Sequence, residues 1–126
     1  MNIDMRLPIE VFMQGTIVRV DFPYDDSERS KSRPAIVYSF DNTSTGVILL
    51  KVTSKEPRSS YDYEILHYED TGLTKRPSVV KCNCVYIILN GETLEKLGNL
   101  SRQDFNNVSV LFNQAYESGD IQYYNA

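Results

Sequence analysis

The sequence predicts a mainly β domain of the α+β type, a small twisted barrel of short strands with one amphipathic helix packed on it at the C-terminal end. Two patterns predict this. Five or six runs rich in β-branched and aromatic residues recur at short spacing with turn residues between them, and a single stretch of helical periodicity follows Ser101. A chain of 126 residues fits one such domain, because a domain of this size hides about two-thirds of its unfolded surface in a single core. The barrel is expected over residues 15–98 and the helix over 101–118, behind an N-terminal arm at 1–14.

In the arm, Leu7, Ile9, Val11 and Phe12 are apolar, and Pro8 bars a long regular helix, which leaves a short helix or an extended segment. The first strand runs from about 15 to 22, with Val18, Val20 and Phe22 on one face and Arg19 and Asp21 on the other. Pro23 to Ser32 forms a ten-residue polar loop with turn chemistry at Asp25-Asp26. Loops of that length inside small domains are usually functional or mobile. Ala35 to Phe40 reads as the second strand, and Arg33 stands at its mouth. Pro34 keeps Arg33 out of the αR region, so the arginine is held extended and aimed by its backbone.

Asp41 to Gly46 is a turn, and Val47 to Thr53 is a third strand on which Lys51 and Thr53 share a face. A polar bend around Lys55 to Arg58 leads into Tyr61-Asp62-Tyr63-Glu64-Ile65, whose alternation marks a half-buried strand. Residues 67–77 are polar and contain Gly72 and Pro77, which suits a turn or a short helix. Ser78 to Leu89 gives the strongest strand signal of the chain. Asn90-Gly91 is a hairpin turn pair, after which Glu92 to Gly98 returns as a short strand or forms a turn of helix. Ser101, three residues before Asp104, is an N-cap opening Phe105, Val108, Leu111, Phe112 and Ala115 at helical spacing, and Gly119 ends the run.

Hydrophobic residues at 41% and charged ones at 24% suit a soluble globular protein, and no apolar run approaches the roughly 20 residues of a membrane span. No secretory signal is evident at the N-terminus, so the expected compartment is the cytoplasm, with reduced thiols. Cys82 and Cys84 accordingly read as buried free thiols without the second pair of a zinc site, and nothing in the histidine, cysteine and carboxylate spacing implies a metal. The net charge of −4 argues against a protein that holds nucleic acid through bulk positive charge. Nine of the thirteen Lys and Arg nevertheless fall between residues 29 and 81, which fits either a local basic groove or scattered solvated charge.

An ordered series of short motifs runs through the chain: Gly15-Thr16-Ile17-Val18-Arg19-Val20-Asp21-Phe22, then Arg33-Pro34-Ala35-Ile36-Val37, then Val52-Thr53-Ser54. Gly72-Leu73, Ser78-Val79-Val80-Lys81 and Leu97-Gly98-Asn99-Leu100-Ser101 continue it. In order and spacing this series resembles the MazF/PemK family of bacterial toxin endoribonucleases over about residues 14–117. The resemblance implies an SH3-like barrel, a homodimer, an acidic antitoxin partner and cofactor-free, metal-independent cleavage of single-stranded RNA by the ribose 2′-hydroxyl. It matches the family's arginine before proline to Arg33 and its threonine at the end of the third strand to Thr53. Ser54 is the next catalytic candidate, and Lys31, Lys51, Lys55 and Ser78 are expected at the substrate. Ser78 stands where many members carry an acidic residue.

Each residue also has a plainer reading. Arg33 would pair with Asp25, Asp26 or Glu28 on the surface, Thr53 would be a strand former, and His67 would be a solvated turn residue. Tyr61, Tyr63 and Tyr68 would either stack on unpaired bases or pack a barrel edge. Beside the nuclease stands a second class, a non-catalytic barrel module that binds a peptide or nucleic acid, because fold does not fix function. Ser78 and the acidic net charge lean toward that module, and Arg33 together with Thr53 toward the nuclease.

Overall fold

The computed structural model describes residues 6 to 23, 30 to 40 and 46 to 125. Its strands are β1 (Arg6–Pro8), β2 (Thr16–Pro23), β3 (Ser30–Phe40), β4 (Gly46–Thr53), β5 (Asp62–Glu64), β6 (Val79–Leu89), β7 (Thr93–Asn99) and β8 (Gln122–Asn125). A 3-10 turn, Ile9–Val11, follows β1, and helix α1 spans Arg102–Glu117. The strands form one sheet in the order β1-β7-β2-β3-β4-β6-β5, and β8 joins it by pairing with β6. Pairing is antiparallel throughout except for β8, which runs parallel to β6.

Successive side chains of a strand face opposite sides of the sheet, and the apolar runs Ala35 to Val37 of β3 and Val47 to Leu50 of β4 therefore carry apolar side chains to both faces. On one face Val18, Val20, Ala35, Val37, Val47, Leu49, Ile88 and Leu94 form a core that Ile9 and Phe12 of the N-terminal segment complete. On the other, Ile17, Ile36, Leu50, Val52, Val80, Cys82 and Val85 pack with Val108, Phe105, Leu111 and Phe112 of α1. The arm is therefore both extended and helical in turn, and it closes the face that the helix leaves open.

The sheet is mainly β with one C-terminal helix, as expected, but its ladder does not close into a barrel among the described residues. β1 and β5, three residues each, end the path and pair only with β7 and β6. With the helix on one face and the N-terminal segment on the other, both apolar surfaces are covered without closure. β3 also begins at Ser30 rather than Ala35, because Ser30, Lys31 and Ser32 ladder onto Pro23, Phe22 and Asp21. The turns expected at Asp25-Asp26 and at 41–45 lie outside the described residues.

Asn90-Gly91 does turn the chain: Gly91 has φ 93° and the Glu92 N–H donates to the Leu89 carbonyl at 3.3 Å. The strands on either side nevertheless do not form a hairpin. One edge of β6 is taken by β4 and the other by β5 and β8, so β7 crosses to lie between β1 and β2.

Helix α1 starts as its sequence predicts, the Ser101 hydroxyl accepting the Asp104 N–H at 3.1 Å. It ends in a Schellman arrangement, with Asp120 N–H on the Ala115 carbonyl at 2.8 Å and Gly119 N–H on Tyr116 at 3.2 Å. The left-handed φ of 72° at Gly119 is what allows this. Asp104 is fully buried and accepts from the Tyr63 hydroxyl and from the N–H groups of Leu66 at 3.3 Å and His67 at 3.0 Å, tying β5 and the segment after it to the start of α1. Among the described residues no helix is long and apolar enough to cross a membrane.

Candidate functional site

Directly paired residues of an antiparallel sheet share a face. Val20 pairs with Arg33 and Ala35 with Lys51, which puts both cations on the face of the first core, at its rim. Carrying the Ala35–Lys51 register two residues further sets Arg33 level with Thr53. Thr53 in turn pairs with Val79, and Lys81, two residues along β6, presents a third cation to the same side. The Lys81 ammonium lies 2.9 Å from an oxygen of Asp62, whose side chain is only 1% exposed. That carboxylate also accepts the N–H of Arg58 at 2.8 Å and of Ser59 at 3.2 Å, so it fixes the bend between β4 and β5.

At the ends of these strands a cleft of about 120 Å³ is lined by Arg33, Thr53, Ser54 and Ser78, together with Arg19, Ser32, Thr74 and Lys75 and a floor that includes Val52, Leu73 and Leu97. Four of the seven residues expected at the site thus converge on one cleft. Lys51 lies beside it on the Arg33 face, half-buried. Burial first, and then the neighbouring Arg33, ease the loss of its proton below the ordinary lysine value. Lys55 is exposed on the bend after β4, where its N–H donates to the Thr53 hydroxyl oxygen at 3.3 Å. The Thr53 proton is thereby directed away from that contact. Lys31 sits on β3 opposite Phe22.

Ser78 is buried, its hydroxyl donating to the Lys75 carbonyl at 2.7 Å and its N–H to the Tyr68 hydroxyl at 2.9 Å. These bonds hold the Thr74 to Ser78 wall. Nothing along the chain singles out Arg19, the polar alternate of β2, which pairs with Glu95 at 3.4 Å. Lys75 belonged to the basic stretch without a place in it. Both reach the cleft only because β2 lies between β3 and β7 and the 72–75 segment folds back on Leu97.

Among the described residues the cleft lining carries cations and hydroxyls and no carboxylate. Among the described residues no ion pair holds Arg33, and the carboxylates of Asp25, Asp26 and Glu28 lie outside them. Tyr63 and Tyr68 pack with the helix-side core, the Arg76 guanidinium lying 4.2 Å from the Tyr68 ring centroid, and the Tyr61 hydroxyl donates to Asp120. These tyrosines hold the fold together. His67 is exposed with Nε2 3.2 Å from the Gln103 side-chain oxygen. Cys82 and Cys84 are free; burial pushes the Cys82 thiol up to about 12, so it is inert at neutral pH. Among the described residues His, Cys, Asp and Glu nowhere gather in threes that could hold a metal ion.

Residues 13–115 match the PemK-like, MazF-like toxin of type II toxin-antitoxin systems. The chain belongs to this toxin family. The match spans nearly the range over which the motifs run, from the end of the arm to the last turns of α1. Comparison with curated proteins finds no match. Two solved structures share the toxin's fold. An endoribonuclease in complex with its cognate antitoxin, from a mycobacterial species, is 16% identical with a TM-score of 0.65 over 83% of this chain and 94% of that one. A second mycobacterial endoribonuclease, also 16% identical, has a TM-score of 0.62 over 83% of this chain and 90% of that one.

Proposed function

We propose that this toxin is a metal-independent endoribonuclease of single-stranded RNA, acting in the cytoplasm as a homodimer and silenced by an acidic antitoxin. One observation carries the reading: Arg33 and Thr53, from the neighbouring strands β3 and β4, line one cleft. In the reaction the 2′-oxygen bonds to phosphorus as the bond to the 5′-oxygen breaks, leaving a 2′,3′-cyclic phosphate. Negative charge gathers on the non-bridging oxygens, for which the Arg33 guanidinium offers a planar fork of two donors. The Thr53 hydroxyl donates a further hydrogen bond, with Ser54 beside it.

One proton must leave the 2′-hydroxyl and another must reach the departing 5′-oxygen. Lys51 shares the face of Arg33 and Thr53, and its eased deprotonation suits it to give a proton to the leaving oxygen. Lys55 adds attraction for the flanking phosphates.

The test is purified toxin on single-stranded RNA in excess chelator. Cleavage leaving 5′-hydroxyl and cyclic-phosphate ends is expected. Activity that disappears with chelator and returns with magnesium overturns the mechanism. The non-catalytic module rests on Ser78, whose hydroxyl is committed to Lys75, and failure to cut any RNA while still binding it would favour that reading.

A further inference from the structure

Strand β8 lies beyond residues 13–115, the span that matches the toxin family. It adds a parallel edge to β6, with Tyr124 paired to Tyr86 and Gln122 to Cys84. The Tyr86 and Tyr124 rings stack at 5.0 Å between centroids and 19° between planes. Tyr86 packs against the first core, so this stack stands on the same face as Arg33, Lys51 and Thr53. Tyr86 pairs with Leu49, which stands two residues before Lys51 on the same face of β4. The outer ring, Tyr124, remains 42% exposed, and its hydroxyl donates to the Gln122 side-chain oxygen at 2.9 Å, which fixes its orientation.

We propose that Tyr124, backed by Tyr86, is a stacking platform for an unpaired base of the RNA substrate, and that this C-terminal strand sets part of the toxin's sequence preference. The proposal rests on the nuclease reading above and adds a subsite to it. A single-stranded substrate needs cations for its phosphates and aromatic faces for its bases, and here the two lie in one row along one face. Leu49, level with the platform, and Thr53 are four residues apart, about 13 Å of strand at about 3.3 Å per residue. The base received is thus a flanking one, not the base on the reacting ribose. The tyrosines that the sequence suggested for this task are instead engaged within the fold.

The experiment uses the whole 126-residue chain and uncleavable 2′-O-methyl oligoribonucleotides spanning a cleavage site mapped with the parent protein, each carrying one abasic position. Tyr124→Leu keeps an apolar cover on Tyr86 but removes the ring, and Tyr124→Phe keeps the ring without its hydroxyl. Tyr124→Leu should bind the intact oligonucleotide about 5- to 150-fold more weakly, the range of one lost base stack. The loss should vanish when one particular flanking position is abasic, and Tyr124→Phe should stay within about twofold of the parent at a single stack's worth of discrimination. Parent-like binding by Tyr124→Leu, or an equal loss on every abasic oligonucleotide, overturns the platform while leaving the nuclease reading intact. A parent protein that neither binds nor cuts RNA overturns both.

Discussion

Arg33 and Lys51 occupy adjacent strands on one face of the sheet, and after burial the Arg33 guanidinium is the strongest influence easing the Lys51 proton off. Two cations set side by side at the rim of a core repel each other, and that arrangement is stabilised when an anion lies between them. A phosphate diester is such an anion.

Arg33→Lys preserves the charge and replaces the planar fork with a point ammonium. The expected result is a rate of RNA cleavage lower by about 10²- to 10³-fold with nearly unchanged RNA affinity. Circular dichroism should match the parent, since Pro34 and the β2–β3 ladder are untouched. Single-turnover rates within a few-fold of the parent would reduce Arg33 to an electrostatic anchor and move the search to Thr53, Ser54 and Lys51.

An antitoxin that silences this site by charge would lay a disordered acidic segment over Arg33, Lys51 and Lys55. Its affinity should fall steadily as salt is raised, measured by calorimetry with a peptide of that kind. Equal affinity at low and high salt would place the contact on an apolar surface elsewhere.

Exposed Val110 and Tyr116 on α1, 55% and 65% accessible, and the short edge strands leave surface for a second copy of the chain. Sedimentation should report a dimer at micromolar concentration. A monomer would contradict the proposed assembly.

Asp104 should make stability depend on acid pH. Burial alone would raise its carboxyl, but the donors converging on it, Tyr63 foremost and then His67 and Leu66, outweigh burial and hold it below the usual range. In the unfolded chain a carboxyl titrates near pH 3.9, at about the ordinary value. Between the two values the unfolded chain binds more protons, so this stability is complete above pH about 4 and is lost as pH falls through the folded value. Asp104→Asn should cost about 2 kcal/mol at pH 7, where charge-assisted bonds count fully, and the gap to the parent should narrow in denaturation experiments below pH about 4. An unchanged gap at pH 3 would show that the carboxylate's charge contributes nothing.

At Gly98 an added Cβ would clash with the Asp70 carbonyl oxygen and the Thr71 carbonyl carbon. Gly98→Ala should therefore push the 70–72 turn off β7, lowering stability by about 1–3 kcal/mol and disturbing the Leu73 and Thr74 wall of the cleft. Thermal unfolding close to the parent's would mean that the turn yields freely.

Local chemistry was enough to place most of the strands, the cap and stop of α1 and the motif series of the toxin family. Alternation, capping and the Arg-Pro seam act within a few residues, so they are legible along the chain. Arg33, Thr53, Ser54 and Ser78 were legible for the same reason: each belongs to a short motif at a strand end. What the sequence could not reveal depends on which strand edge is free. Asn90-Gly91 specifies a turn, yet β6 already has partners on both edges, so β7 crosses the sheet and brings Leu97 and Arg19 to the cleft. Asp104 resembles a solvated first-turn carboxylate until Tyr63, from a strand 41 residues away, closes over it. Tyr124 becomes a partner for Tyr86 only when the chain beyond α1 returns to β6. Long-range pairing decides these positions, because their contacts are made by segments that only the folded sheet brings together.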